Sequence, residues 1–131
     1  MIGLDTNVVV RYLMQDDVVQ SALANRLIDA LTEASPGYIS LICLAELYWV
    51  LDHTYKLTRT EIIQAIRGVI TSETLLLQDS ELVKRAFYMY SKGNVDFDDC
   101  LIAQCAFSAS CNSIMTFDKV AAKNSGMQLL A

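Results

Sequence analysis

At 131 residues, with 53% apolar side chains, one proline and five glycines, the chain excludes a disordered linker, a low-complexity tail and a repeat array. A chain of this length buries roughly two thirds of its unfolded surface, so one domain over residues 1–131 is expected, without disulfide or metal staples. The formal net charge of −5 excludes a simple basic nucleic-acid binder, unless carboxylates gathered around bound cations account for part of that sum.

Ile2 to Leu4 read as a buried strand that ends abruptly in Asp5-Thr6-Asn7. Asn7 to Met14 predict a short helix with Val8, Val9 and Leu13 as its apolar residues. Asp16 or Asp17 can cap the next helix by accepting from its free N–H groups. That helix runs to about Glu33, on the spacing of Leu23, Leu27, Ala30 and Leu31. Ser35-Pro36-Gly37 is a breaker cluster, and Tyr38 to Leu41 suit a second strand.

From about Cys43 a helix follows, with Leu44, Leu47, Tyr48 and Leu51 on one face. Thr58-Arg59-Thr60-Glu61 matches a capping box, ahead of a helical stripe of Ile62, Ile63, Ile66, Val69 and Ile70. Leu75 to Leu77 form a short strand. Asp79 or Ser80 starts a helix through Leu82, Val83, Ala86, Phe87 and Tyr90, and Gly93 stops it. Asp96 reads as the cap of a helix carrying Leu101, Ile102, Cys105 and Ala106. Ser113 to Phe117 form a strand that ends at Asp118, Lys119 to Asn124 make one or two helical turns, and Met127 to Leu130 add a last strand after Gly126. Helices alternating with continuous apolar strands predict an α/β fold with a mainly parallel sheet covered on both faces.

The uncharged run from Cys100 to Phe117 is long enough to raise the question of a membrane span. Gln104, Ser108, Ser110, Asn112, Ser113 and Thr116 interrupt it, so it reads as a buried helix, a turn and a strand, and no membrane is expected. The N-terminus lacks the features of a leader peptide, which makes the cytoplasm the expected compartment. Cys43, Cys100, Cys105 and Cys111 contain no C-x-x-C pair and read as small buried hydrophobes in a reducing compartment. His53 is the only histidine, which leaves a zinc site or a serine–histidine pair without its parts. No glycine-rich phosphate loop is present.

Four carboxylates stand out by position: Asp5 after the first strand, Glu46 in the helix after the second, Asp99 in the first turn of the helix that starts near Asp96, and Asp118 after the fourth strand. If the strands are parallel, these acids can converge on one edge of the sheet. An acid in a first helical turn is often only a cap or a dipole partner, which covers Asp96 and Asp98 well and Asp99 in part. Glu46 is odd by composition. It lies among Leu44, Ala45, Leu47, Tyr48, Trp49, Val50 and Leu51, where a lone charge is costly unless paired. Three or four carboxylates in one pocket cannot all ionise without cations between them. Mg²⁺ or Mn²⁺, hard ions that take oxygen ligands, fit such a set and can activate water against a phosphodiester.

The stretches Ile2-Gly3-Leu4-Asp5-Thr6-Asn7-Val8, Leu44-Ala45-Glu46-Leu47, Asp96-Phe97-Asp98-Asp99-Cys100-Leu101-Ile102-Ala103 and Thr116-Phe117-Asp118-Lys119, in this order, resemble the four motifs of the PIN domain family. The Asp-Thr-Asn opening and the short length look most like its VapC-type toxins of bacterial toxin–antitoxin pairs. The resemblance covers nearly the whole chain. It implies a three-layer α/β/α fold around a mainly parallel sheet of four to five strands, and a metal-dependent endoribonuclease that is usually a homodimer held inactive by a cognate antitoxin. It places Asp5, Glu46, Asp99 and Asp118 at the acidic positions, with Asp5 and Asp99 as direct ligands of Mg²⁺ or Mn²⁺. Glu46 and Asp118 would bind a second metal or orient water. Thr6, Asn7 and Thr116 would be supporting hydrogen-bonders, and Asp96 a lesser acid. Lys and Arg side chains near the rim of such a site would hold the RNA backbone, giving salt-sensitive binding. The ten basic residues include Arg11, Lys56 with Arg59, Lys84 with Arg85, Lys92, and Lys119 with Lys123, and scattered solubilising charge accounts for any single one of them at least as well.

Two other acid-pocket α/β folds fit less well. A haloacid-dehalogenase-type phosphatase needs a second aspartate two residues after the first, where this chain has Asn7. A response-regulator receiver needs adjacent acids after the first strand. The remaining alternative is a PIN-like domain that binds protein without catalysis, which metal-dependent cleavage would separate from an enzyme.

Overall fold

The computed structural model describes residues 1–131, which divide into two compact units, Met1–Gln78 and Asp79–Ala131. In the first unit β1 (Ile2–Gly3), β2 (Gly37–Ile39) and β3 (Leu75–Leu77) form a parallel sheet in the order β1-β2-β3. Ile2 lies opposite Gly37, and Gly37, Tyr38 and Ile39 lie opposite Leu75, Leu76 and Leu77. Parallel neighbours require long crossovers. Here α1 (Thr6–Met14) and α2 (Val18–Asp29) supply the first, and α3 (Leu41–Trp49) and α4 (Arg59–Thr71) the second. Gly37 sits at a close approach. A Cβ there would stand 2.9 Å from both Leu4 and Leu31 Cδ1.

Each crossover helix of this unit starts on an oxygen-bearing side chain, because four N–H groups at a helix start have no partner in the helix itself. Asp17 Oδ1 accepts from Gln20 N at 2.8 Å, and Ser40 Oγ accepts from Cys43 N at 3.1 Å. Thr58 and Glu61 complete the expected capping box in both directions, at 3.2 and 2.9 Å. Replacing Thr58 by alanine should lower stability by about 1 kcal/mol, read as a shifted urea midpoint with an unchanged slope. Ile62, Ile66 and Val69 of α4 are buried with Leu44, Leu47 and Leu51, so that stripe is core.

Between α3 and α4 the chain makes a π-helical turn, Val50–Thr54. Here the Trp49 ring stacks on His53 with centroids 4.7 Å apart and planes 11° from parallel.

In the second unit α5 (Ser80–Lys92) packs on α6 (Phe97–Ser108) around Leu82, Val83, Ala86, Tyr90, Phe97, Cys100 and Leu101. A short parallel pair, β4 (Met115–Thr116) and β5 (Gln128–Leu129), is linked through α7 (Lys119–Asn124). Ala103, Ala121 and Met127 form a small buried cluster against which Ile114 packs.

The α/β class and the parallel strands agree with the expectation. The five strands pair as one three-stranded and one two-stranded sheet, where a single sheet of four to five strands was implied. The predicted strand Ser113–Phe117 shortens to two residues, and the predicted helix to Glu33 ends at Asp29. Cys43 and Cys100 are buried as expected, whereas Cys105 and Cys111 are exposed. No helix is long and apolar enough to cross a membrane.

Candidate functional site

In the first unit, Asp5 occupies the turn between β1 and α1. Its Oδ1 accepts from Thr6 N at 2.8 Å, so the residue caps α1 while its side chain remains exposed. Thr6 is buried and its Oγ1 donates to Glu46 Oε2 at 2.8 Å, tying the start of α1 to α3. Asp5, Thr6, Asn7 and Glu46 line one cleft of about 420 Å³, with Val10, Arg11, Val50, Thr54 and Tyr55.

Glu46 corrects the expectation of a carboxylate in apolar surroundings. Leu44, Leu47, Tyr48 and Leu51 turn inward, while Glu46 shares the exposed side of α3 with Ile42 and Trp49. Thr6 holds one Glu46 oxygen in place, leaving Oε1 outside that bond. Behind the cleft, burial pushes the Cys43 thiol above its ordinary value, and the charges of Asp5 and Glu46 add to the shift over the opposing Thr6 hydrogen bond. Such a thiol packs and does not serve as a nucleophile.

In the second unit, Asp96, Asp98 and Asp99 open α6. One carboxylate oxygen from each lies within 4.8 Å of the others. Asp96 holds the N-cap position, but its side chain makes no capping hydrogen bond, contrary to the capping role its position suggests. Asp98 Oδ1 accepts from Asp99 N at 2.9 Å. Asp118 caps α7, its Oδ1 accepting from Val120 N at 2.9 Å and Ala121 N at 3.0 Å, while Oδ2 stands outside the cap. Thr116 Oγ1 accepts from Asp118 N at 3.0 Å, so it fixes the backbone of that acid rather than its carboxylate. Asp96, Asp99 and Asp118 line a second cleft, about 190 Å³, with Asn94, Val95, Val120 and Ala121.

The electrostatics of this second group are those of crowded anions. Partial burial, then the charges of Asp98, Asp118 and Asp96, push the Asp99 carboxyl up to about 6. Desolvation and like charge both disfavour the ionised form, and a cation among the oxygens would reverse both. Three carboxylates at this spacing are a donor set suited to a hard divalent ion.

The sequence-predicted residues thus fall into two groups, one in each unit: Asp5, Thr6, Asn7 and Glu46, and Asp96, Asp99, Thr116 and Asp118. Asp98 and Tyr55 join these groups although the sequence does not assign them to the site. Asp98 joins the second group because consecutive acids in a first helical turn all lie close to the open N-terminus. Arg11 and Tyr55 line the first cleft. Arg11 is among the basic residues the sequence singles out, whereas Tyr55 arrives through the π-helical turn, which leaves no local mark.

A family model described as the PIN domain matches residues 2–126, taking in residues of both units. No curated protein matches the chain.

Proposed function

Because the chain belongs to the PIN domain family, generally a nuclease fold, we propose that it is a metal-dependent endoribonuclease and the toxin of a VapC-type toxin–antitoxin pair. Residues 1–131 act as a single PIN domain. Asp5, Glu46, Asp99 and Asp118 are the catalytic acids, with Asp5 and Asp99 as direct ligands of Mg²⁺ or Mn²⁺. Asp96 assists as a further acid, and Thr6, Asn7 and Thr116 support the carboxylates. The observation that carries this reading is the crowding of Asp96, Asp98 and Asp118 around Asp99, whose carboxyl is held up to about 6.

A divalent metal, when bound, polarises a phosphate and lowers the pKa of water. The chain's own groups do the rest. Asp5 and Asp99 would hold that metal through their carboxylates. Glu46, steadied by Thr6 through Oε2, offers Oε1 to orient the attacking water and receive its proton. The water oxygen bonds to phosphorus, the bond to the leaving ribose oxygen breaks, and that oxygen takes a proton from solvent water while Glu46 returns its own to solvent. Asp118 orients water through the oxygen left free by its cap.

The proposed biology adds an antitoxin, a homodimer and the cytoplasm. A protein partner is supported by α2, where Val18, Val19 and Leu23 are exposed, and by an apolar groove of about 280 Å³ that Val8, Leu23, Ala24 and Leu27 line. Exposed apolar clusters of this kind suit a protein contact.

The test is cleavage of structured RNA by protein purified free of partners, with and without Mg²⁺ or Mn²⁺. Wild type should cut only with metal, and Asp5→Asn should lose the cut while keeping its far-UV spectrum. Equal cleavage by both would sink the assignment of Asp5. No metal-dependent cleavage by wild type would favour the non-catalytic binding alternative.

A further inference from the structure

Arg11 lies one helical turn past Asn7 and lines the same cleft as Asp5, Thr6 and Glu46. Its guanidinium is held in one geometry. Nε donates to Gln20 Oε1 at 2.8 Å, and Nη1 donates to the Tyr55 hydroxyl at 2.9 Å and to Asp16 Oδ1 at 3.1 Å. The Tyr55 hydroxyl in turn donates to Asp16 Oδ2 at 2.7 Å. Nη2 takes no part in this network.

The partners come from three places: Gln20 from α2, Asp16 from the turn before it, and Tyr55 from the end of the π-helical turn. Gln15 closes α1 in a left-handed conformation, φ 53°, and the chain returns Asp16 to Arg11. An exposed arginine ordinarily loses rotamer freedom when it takes a ligand. Here the fold has already fixed the side chain, and the two N–H groups of Nη2, outside the network, are suited to charge-assisted hydrogen bonds with a phosphate oxygen.

We propose that Arg11 binds a phosphate of the RNA backbone at the first cleft, with Asp16, Gln20 and Tyr55 as positioning residues that hold its guanidinium ready. This rests on the nuclease reading. Asp16 neutralises part of the arginine's charge, so the contribution is orientation at one phosphate rather than general attraction. A chain carrying −5 overall gains most from such a fixed cation, because its global field repels RNA.

The experiment uses the 131-residue protein carrying Asp99→Asn, expected not to cut, in Mg²⁺, and the wild-type chain in EDTA as a second non-cutting background. Binding of a labelled poly-uridine oligonucleotide is followed by fluorescence anisotropy over a range of salt. Adding Arg11→Gln should weaken binding about tenfold and reduce the slope of log affinity against log salt by about 0.7, one single-strand phosphate contact. Adding Tyr55→Phe, which cuts the network but leaves the cation, should weaken binding severalfold and keep the slope. Arg11→Lys should also keep the slope while losing affinity. An unchanged slope in Arg11→Gln would overturn the proposal and leave Arg11 as a pin between helices, seen only as a lowered melting temperature. If neither Asp99→Asn in Mg²⁺ nor the wild-type chain in EDTA binds RNA, the nuclease reading falls and takes this proposal with it. Binding with a slope indifferent to Arg11 removes this proposal alone.

Discussion

Replacing Asp99 by asparagine should reduce RNA cleavage roughly a thousandfold and, in metal-free protein, raise the melting temperature by about 4 °C. The first effect follows from removing a proposed metal ligand, worth several kcal/mol of transition-state stabilisation. The second follows from the sign of its pKa shift. The ordinary value for the group is 3.8 and the folded value about 6. Between these values the folded chain holds a proton that the unfolded chain has lost. Stability therefore falls as pH rises through this window, and the full penalty is present above it. The shift alone would set a ceiling near 3 kcal/mol; Asp99 is partly exposed, and solvent screening reduces this to roughly 1 kcal/mol, hence the modest rise in melting temperature.

Two controls sharpen the expectation. Mn²⁺ should abolish the stability loss between pH 4 and 6 in wild type and have a smaller effect in Asp99→Asn. Apparent Mn²⁺ affinity of the wild type should fall by about tenfold per pH unit below about 6, as one proton competes with the ion. Scanning calorimetry across pH with and without Mn²⁺ reads both. Full cleavage by Asp99→Asn would remove this acid from the mechanism, and an unchanged melting temperature would contradict the crowding of its carboxylate.

The largest stability effect is expected at Phe97, the residue between Asp96 and Asp98. Its ring is fully buried, edge-on to Phe87 with centroids 6.5 Å apart and tilted against Tyr90 at 5.7 Å. Phe97→Ala should cost about 3–5 kcal/mol, a large share of the roughly 5–15 kcal/mol that holds a domain of this kind folded. The acids of the first turn of α6 take their positions from this anchored ring, so activity should fall with stability even at temperatures where the chain remains folded. Phe97→Leu, which keeps most of the buried volume, should show a smaller loss of both. Urea unfolding and cleavage rates measured on the same preparations test this; full activity in a destabilised Phe97→Ala would show that the acids do not depend on the ring.

The order of elements was legible in the sequence because strands with continuous apolar runs and helices with capped starts carry local signals. Thr58 and Glu61 are the clearest case, since a capping box is a complete local device. Strand lengths were not legible. Ser113 to Phe117 alternates enough apolar residues for a strand, but pairing with β5 reaches only Met115 and Thr116, and pairing is a tertiary property. The acidic candidates were legible as residues and less so as environments. Glu46 was misjudged because neighbours in sequence are not neighbours on a helix: the 100° step between residues turns Leu47 into the core and Glu46 out of it. Asp98 was passed over for the opposite reason, since its role comes from crowding with Asp96 and Asp99 rather than from its own position. The Arg11 network joins residues up to 44 positions apart, beyond the reach of any local pattern.

Trp49, the only tryptophan in the chain, projects from α3 one turn beyond Glu46, about half exposed and stacked on His53. The molecule therefore carries its own optical probe on the helix that bears one of its proposed catalytic acids. Indole emission responds to solvent access and to a neighbouring imidazole, so movement of α3 or coverage of its outer side changes colour and intensity without any attached dye.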